Sequence, residues 1–321
     1  MHGPLAPEMY DTDRPVGSYW EASLPPEPPR PTLEGEADCD VAIIGAGYAG
    51  LNAALVLAKR GVSVTVLDAG RVGWGASGRS GGICGPGGDK LSERDLIRRY
   101  GREEVALYRE AQTGAIDWVR TFAETHGLAE HICGRGEIEI AHSRSARKGL
   151  ERLIAADPEN HDPIPPSGRA DCARHGGVLT RPAFGIHPLA YVRALARAAE
   201  AAGATIHEGA SVRVLVREGT QHRLETARGS LMADRLLIAT NGFTPENLLP
   251  SLRGLAVPVI SNIGVTRPLT EEERAEHPWL DHSPACDTRH MLSYFRILPD
   301  NRLLLGARGD VTGSEHNAPR M

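Results

Sequence analysis

Aromatic residues are scarce in this chain. Phe, Trp and Tyr together make up 5% of its 321 residues, too few for a surface on which nucleic-acid bases stack in succession. Basic residues are not in excess either. Lys and Arg number 36 against 41 Asp and Glu, a formal charge of −5, so no nucleic-acid partner is expected. The five cysteines, at 39, 84, 133, 172 and 286, are odd in number and form no C-x-x-C pair. A disulfide framework, a structural zinc or any other metal site is therefore not expected, and the pattern suits a reducing cytoplasm. Long hydrophobic runs are missing too. The longest apolar stretch, 41–58, is broken by Gly45, Gly47, Gly50, Tyr48 and Asn52. It reads as strand, turn and helix, not as a transmembrane segment. The N-terminus lacks the basic-then-apolar layout of a secretory leader, and the expected location is cytoplasmic.

The remaining composition is that of a soluble globular protein. Hydrophobic residues are 41% and charged residues 24%, and the length is that of roughly two domains. Residues 1–39 form a Pro-rich N-terminal arm, with prolines bunched in LPPEPPRP (24–31). This arm is expected to be extended and unpacked. Within it, Ser18, Tyr19 and Trp20 are apolar enough to dock on a neighbouring surface.

Order is expected from Asp40. VAIIG (41–45) has the pattern of a buried parallel strand, and Tyr48 to Arg60 puts Leu51, Leu55 and Ala58 on one helical face. Gly61 stops that helix, and VSVTVL (62–67) reads as the next strand. Together they make one β-α-β unit. Gly73 to Gly88 is too glycine-rich for regular structure and reads as a shaped loop. Ser92 marks a helix start and Gly101 its end, 103–127 carries helical periodicity, and the four prolines of 157–170 predict a loop. Pro188 to Ala202 reads as a helix, followed by short strands near 211–217, 222–227 and 235–240. LSYFRIL (292–298) and RLLLGAR (302–308) form a hairpin through Pro-Asp-Asn.

GAGYAG (45–50) is a G-x-G-x-x-G motif in its proper setting, after an apolar strand and at the opening of a helix. Gly45 permits the tight turn, Gly47 lets backbone approach a pyrophosphate, and Gly50 allows close helix–strand packing. Amides at the helix start face the phosphates. Asp68 stands at the end of the second strand, where a carboxylate accepts hydrogen bonds from ribose hydroxyls. These features call for a dinucleotide and leave NAD and FAD open. The second glycine-rich segment, 69–88, favours a flavin. Ser77, Arg79 and Ser80 supply donors, and Gly78, Gly81 and Gly82 allow close approach. LLIATNG (236–242) can return to the sheet beside the cofactor, and Val212 can present its backbone to an adenine.

Taken together, SYW (18–20), DVAIIGAGYAGLNAALVLAKRG (40–61), GASGRSGG (75–82), GIHP (185–188), GASV (209–212), ATNG (239–242) and YFRILPDNRLLLGARGD (294–310) resemble the FAD-dependent oxidoreductases of the D-amino-acid oxidase superfamily. The branch they resemble most is the gamma-glutamylputrescine oxidoreductase-like one. The resemblance implies an α/β protein with a Rossmann-like, parallel-sheet FAD-binding domain (40–95 and 188–250), interleaved with a mixed-sheet substrate domain (96–187 and 251–321). It implies bound FAD and oxidation of a C–N bond in a small-molecule amine or amino acid. Hydride passes to flavin N5, the imine is hydrolysed, and oxygen or another acceptor reoxidises the flavin. It carries the cofactor contacts to Gly45, Ala46, Gly47, Tyr48, Ala49, Gly50, Asp68, Ala69, Ala76, Ser77, Arg79, Ser80, Gly81, Gly82, Val212, Ala239, Thr240 and Asn241. Relatives of this type continue past the point where this chain ends, in a further glycine-rich motif. The sequence therefore reads as a C-terminally truncated member, for which a non-catalytic remnant is an alternative, as is an NAD-dependent dehydrogenase with the same β-α-β start.

No catalytic residue is identified, because hydride transfer to a flavin requires no acid–base pair. Cys84 and His187 read as packing residues. Tyr294 and Arg296 share one side of a strand; Arg296 reads as an exposed strand arginine, with a substrate carboxylate as its functional alternative. Glu271, Glu272 and Glu273 follow Thr270 as a capped helix start. Trp20, Trp74, Trp118 and Trp279 read as packing residues, Trp74 within the cofactor loop.

Overall fold

In the computed structural model, residues 6–89, 91–168, 171–255, 259–277 and 280–310 are described. Chain contacts divide it into two compact units. The first takes Met1–Ser80, Pro188–Ser261 and Gly309–Met321; the second takes Gly81–His187 and Asn262–Arg308.

The first unit is built on a six-stranded sheet. Its order is Val214–Glu218, Gln221–Glu225, Gly229–Ile238, Gly35–Ile44, Val64–Leu67 and Thr205–His207. The last four run parallel, and an antiparallel hairpin extends one edge. Val64–Leu67 is buried along its whole length, as a parallel strand covered on both faces must be. The helix Tyr48–Ala58 buries Gly50, Leu51, Ala54, Leu55 and Ala58, one stripe at helical spacing. It packs beside Pro188–Ala201, where the Tyr48 and Tyr191 rings lie 5.2 Å apart. Beneath the sheet, Leu33, Ala42, Ile44, Leu67, Leu224 and Leu231 share one core cluster.

The N-terminal arm departs from expectation. The first strand begins at Gly35, not Asp40, and the described residues before it are anchored by buried side chains. Tyr10, Trp20 and Leu33 are buried. Ser18 caps the one-turn helix Tyr19–Ala22 in a reciprocal capping box with Glu21. Proline stiffens this segment, but apolar anchors spaced between the prolines tie it down.

The second unit holds a seven-stranded mixed sheet, ordered Ile260–Pro268, Arg302–Asp310, Ser293–Ile297, Ala285–Asp287, Glu137–Ile140, Gly177–Thr180 and His161–Ile164. Ala285–Asp287 runs parallel to Glu137–Ile140, while the hairpin of Ser293–Ile297 with Arg302–Asp310 is antiparallel. Ile138, Ile140, Leu179 and Ala285 fill one face. Residues 161–164, expected in a loop, form an edge strand that contains Pro163. An edge tolerates a residue with no N–H to donate. A second, three-stranded sheet joins Ile83–Cys84, Phe184–Ile186 and Ile132–Cys133. By chain contacts, residues from Gly81 onward group with the second unit. The helices Glu93–Tyr100, Arg102–Thr125, Arg144–Ala156 and the short Glu271–Ala275 also belong to this unit. Among the described residues no helix is long and apolar enough to cross a membrane.

Candidate functional site

Three stretches of the first unit converge on one cleft of about 290 Å³. The first is the turn after the strand Gly35–Ile44. Gly45 has φ +108°, and a Cβ built there would lie 2.8 Å from the Ala239 carbonyl oxygen. Only glycine adopts this turn with that neighbour so near. Gly45 N–H donates to Leu67 O at 2.8 Å, and Ala239 N–H donates to Ile44 O at 2.8 Å, which locks the turn between two strands. A Cβ at Gly50 would fall 2.0 Å from the Gly45 carbonyl oxygen. The helix therefore seats against the strand end only because residue 50 has no side chain.

The second stretch follows Asp68. Its carboxylate accepts hydrogen bonds from the N–H groups of Ala46 at 2.6 Å and Gly70 at 2.9 Å. Burial, reinforced by the charge of Glu208, pushes its pKa above the ordinary value, while the two amides pull the other way. A carboxylate offers about four acceptor sites, so ribose hydroxyls can share it with these amides. The loop then folds tightly on itself. A Cβ at Gly78 would lie 1.9 Å from the Gly73 carbonyl oxygen, which permits the 3-10 turn Ala76–Gly78. The Ser77 hydroxyl accepts from Tyr48 N–H at 3.1 Å, and a Cβ at Gly47 would meet it at 2.9 Å. Ser77 thus stands at the positive end of the helix, where anions are favoured.

The third stretch is the far side of the sheet. Val212 and the residues 239–241 after the strand Gly229–Ile238 line the cleft. Of the residues chosen from sequence, Gly45, Ala46, Gly47, Tyr48, Ala49, Asp68, Ala69, Ala76, Ser77, Val212, Ala239, Thr240 and Asn241 all lie in its wall. Gly50 stands behind it as a packing residue. Arg79 also lies outside the lining; its guanidinium covers the Trp74 ring at 4.3 Å and its Nε donates to the Trp74 carbonyl. Burial lowers its pKa, and its buried Nη2 has no hydrogen-bond partner among the described residues. Ser80 gives its carbonyl to Trp20 Nε1. The wall also includes residues not chosen from sequence, among them Thr12, Ser211, Phe243, Pro245 and Leu248. Phe243 and Leu248 follow the ATNG turn closely and could have been taken with it; nothing in the sequence near Thr12 marks it.

Gly81 and Gly82 belong to the second unit. Arg296 there is buried at 2% exposure, which corrects the expectation of an exposed strand arginine. Its Nη1 donates to Gly82 O at 3.2 Å and its Nη2 to Ile186 O at 3.0 Å. The guanidinium is a clamp on two backbone carbonyls. Tyr294 is half-buried, its ring against Gly306 and Gly81. Cys84 is half-buried, with its thiol pushed up to about 11 by burial. His187 is buried and donates its backbone N–H to His131 O. Thr270 caps the short helix Glu271–Ala275 in a capping box with Glu273. Trp20 is buried, whereas Trp118 is 43% exposed on the outer face of a long amphipathic helix, and Trp279 lies outside the described residues.

Comparison with known proteins bears on this cleft directly. The model of the family described as FAD dependent oxidoreductase matches residues 40–321. Among curated proteins, a probable oxidoreductase, OrdL, of Rhizobium meliloti (strain 1021) is 34% identical over 310 residues, covering 92% of this chain and 70% of that protein. Gamma-glutamylputrescine oxidoreductase of Escherichia coli (strain K12) is 27% identical over 309 residues, covering 93% and 71%. Among solved structures, glycine oxidase from Geobacillus kaustophilus aligns with TM-score 0.63 and 22% identity over 84% of this chain and 71% of that one. L-proline dehydrogenase from P. horikoshii aligns with TM-score 0.61 and 19% identity over 88% and 72%. The two structures share the fold. The family match decides between the two dinucleotides in favour of FAD.

Proposed function

Because this chain belongs to the FAD dependent oxidoreductase family, we propose that it oxidises the C–N bond of a small primary or secondary amine, with a gamma-glutamylputrescine-like amine as the first substrate to try. It is an FAD-dependent enzyme of the amine and amino-acid oxidase type. The substrate class draws its support from the gamma-glutamylputrescine oxidoreductase that is similar over 93% of the chain.

The observation that carries the cofactor site is the glycine cradle. Gly45, Gly47 and Gly50 each stand where a Cβ would collide with neighbouring atoms, and the cleft between them is open to a backbone-hugging pyrophosphate. In this reading the amides at the start of Tyr48–Ala58 face the phosphates, Asp68 accepts from the ribose, and Val212 borders the adenine. Bound FAD would supply acceptance of hydride from the carbon beside the nitrogen, so that water could hydrolyse the resulting imine to a carbonyl and ammonia, or an amine where the substrate is secondary. The protein's part is to hold the dinucleotide rigidly and to exclude water from it.

An absorption spectrum of the purified chain, before and after FAD is added and the excess removed, tests the reading. A retained flavin spectrum that bleaches with gamma-glutamylputrescine or a related amine under anaerobic conditions is the expected result. A chain that stays colourless after FAD addition refutes it; a flavin spectrum bleached only by amino acids, and by no amine, refutes the substrate class alone.

A further inference from the structure

The family match begins at residue 40, yet the residues before it reach the cofactor cleft. Thr12 stands in the cleft wall, and its side chain packs on Gly70, where an added Cβ would lie 3.3 Å from it. Tyr10 is buried edge-on to Phe243, with ring centroids 6.4 Å apart, and Phe243 in turn meets Trp74 at 5.6 Å. Both Phe243 and Trp74 also line the cleft.

The same segment grips the loop after Asp68 directly at three further points, and through Glu208 at a fourth. Trp74 Nε1 donates to Arg14 O at 3.2 Å, and Trp20 Nε1 donates to Ser80 O at 3.1 Å. Arg71 donates to the Glu27 carbonyl. Arg30 forms a bidentate pair with Glu200, at 2.6 and 3.0 Å, and reaches Glu208 at 3.2 Å. Glu208, 5% exposed, accepts the backbone N–H of Arg30 on one oxygen and that of Val72 on the other. One buried carboxylate thus ties arm to loop.

We propose that residues 10–30 are part of the FAD site, with Thr12 as a wall residue and Arg30 and Trp20 as positioning residues for the loop 69–80. The proposal rests on the FAD reading above. Its consequence is reciprocal: docking of the segment strengthens FAD binding, and FAD binding holds the segment in place by the same factor. Bidentate Arg–carboxylate pairing fixes geometry as well as adding energy, so Arg30 is the point at which the coupling is most sensitive.

The test uses the full chain. FAD affinity is read by flavin fluorescence, and amide hydrogen exchange by mass spectrometry with and without FAD. In the wild type, FAD is expected to slow exchange of amides in 8–23 by about fivefold or more. Arg30→Ala is expected to raise the FAD dissociation constant about tenfold and to abolish that protection, while Arg144→Ala, on an exposed helix start in the second unit, does neither. Should Arg30→Ala fail to fold, Trp20→Phe keeps an aromatic side chain but loses the indole N–H that bonds Ser80 O together with part of the buried ring, and is expected to weaken FAD in the same direction. A wild type that takes no FAD overturns the cofactor reading. A wild type that binds FAD with exchange in 8–23 unaltered, or a folded variant with a released arm and an unchanged dissociation constant, overturns this proposal alone.

Discussion

Replacing Glu137 by Gln should stabilise the protein near pH 8 and leave it little changed near pH 4. Glu137 opens the strand Glu137–Ile140 and faces away from the core that Ile138 and Ile140 enter. Its surroundings give it little help in carrying a charge. The Cys286 thiol donates to one carboxylate oxygen from 3.8 Å. Gly85 crosses so closely that a Cβ there would fall 2.5 Å from the other oxygen. Glu139, two residues on along the same strand face, adds a like charge, and its own pKa is raised by burial. Burial first, then the Glu139 charge, pushes the Glu137 carboxyl up from 4.5 to about 7. The folded pKa is therefore above the unfolded one. Between the two values the folded chain keeps a proton that the unfolded chain has released, so this group's contribution is fully present below the unfolded pKa and is lost as pH rises through about 7. A shift from 4.5 to about 7, at about 1.4 kcal/mol per pH unit, puts the loss at about 3.5 kcal/mol in alkaline solution. A Gln side chain is neutral at every pH and still accepts from the thiol, so the variant escapes that loss. Thermal melts of both proteins at pH 5 and pH 8 measure it. A variant that melts lower than wild type at pH 8, or that differs from it equally at both pH values, refutes the argument.

Other substitutions probe the remaining parts. Gly50→Ala puts a methyl group 2.0 Å from the Gly45 carbonyl oxygen, and is expected to weaken FAD about tenfold or more, read by fluorescence titration. Asp68→Asn keeps one acceptor but turns an amide toward the N–H of Ala46 or Gly70; a loss of about 1–3 kcal/mol in stability is expected, with weaker FAD binding measured alongside it. Arg296→Lys cannot span the carbonyls of Gly82 and Ile186 together, and a thermal or denaturant melt should show a cost of about 2–4 kcal/mol. Ser143→Ala removes the cap that accepts Ala146 N–H at 3.1 Å on the helix Arg144–Ala156 and should cost about 1 kcal/mol.

The β-α-β start was legible because its signals are local. Glycines at fixed spacing, an apolar strand before them and an acid after the next strand all lie within 41–68, and each reports a backbone requirement of its own neighbourhood. The hairpin 293–310 was legible for the same reason: Asn301 takes φ +63° at the turn, and the alternating strands flank it. Pro163 misled because a proline argues against a central strand but not against an edge, and edge position depends on which strands pair elsewhere. The N-terminal segment misled more. Its proline content is real, but the contacts that hold it, such as Arg30 to Glu200, join residues 170 positions apart, and no local pattern records them.

Arg296 shows where strand periodicity stops being informative. Alternation places residues 294 and 296 on one side of the strand, and that held. It says nothing about what lies against that side. A segment with glycine at 82 lies close over it: a Cβ at Gly82 would approach Arg296 Nη2 to 2.9 Å, and one at Gly185 would approach Nη1 to 2.2 Å. The two glycines make room for the guanidinium, and the guanidinium in turn donates to the carbonyls of Gly82 and Ile186, the first of which also accepts from Ile186 N–H. Read singly, Gly82 suggests approach to a ligand and Arg296 suggests a solvent-facing or substrate-facing charge. Read as a pair, they fit each other. Glycine in a shaped loop is evidence for close approach by something, and only the fold determines whether that neighbour is backbone, as Ala239 is for Gly45, or a side chain, as Arg296 is for Gly82.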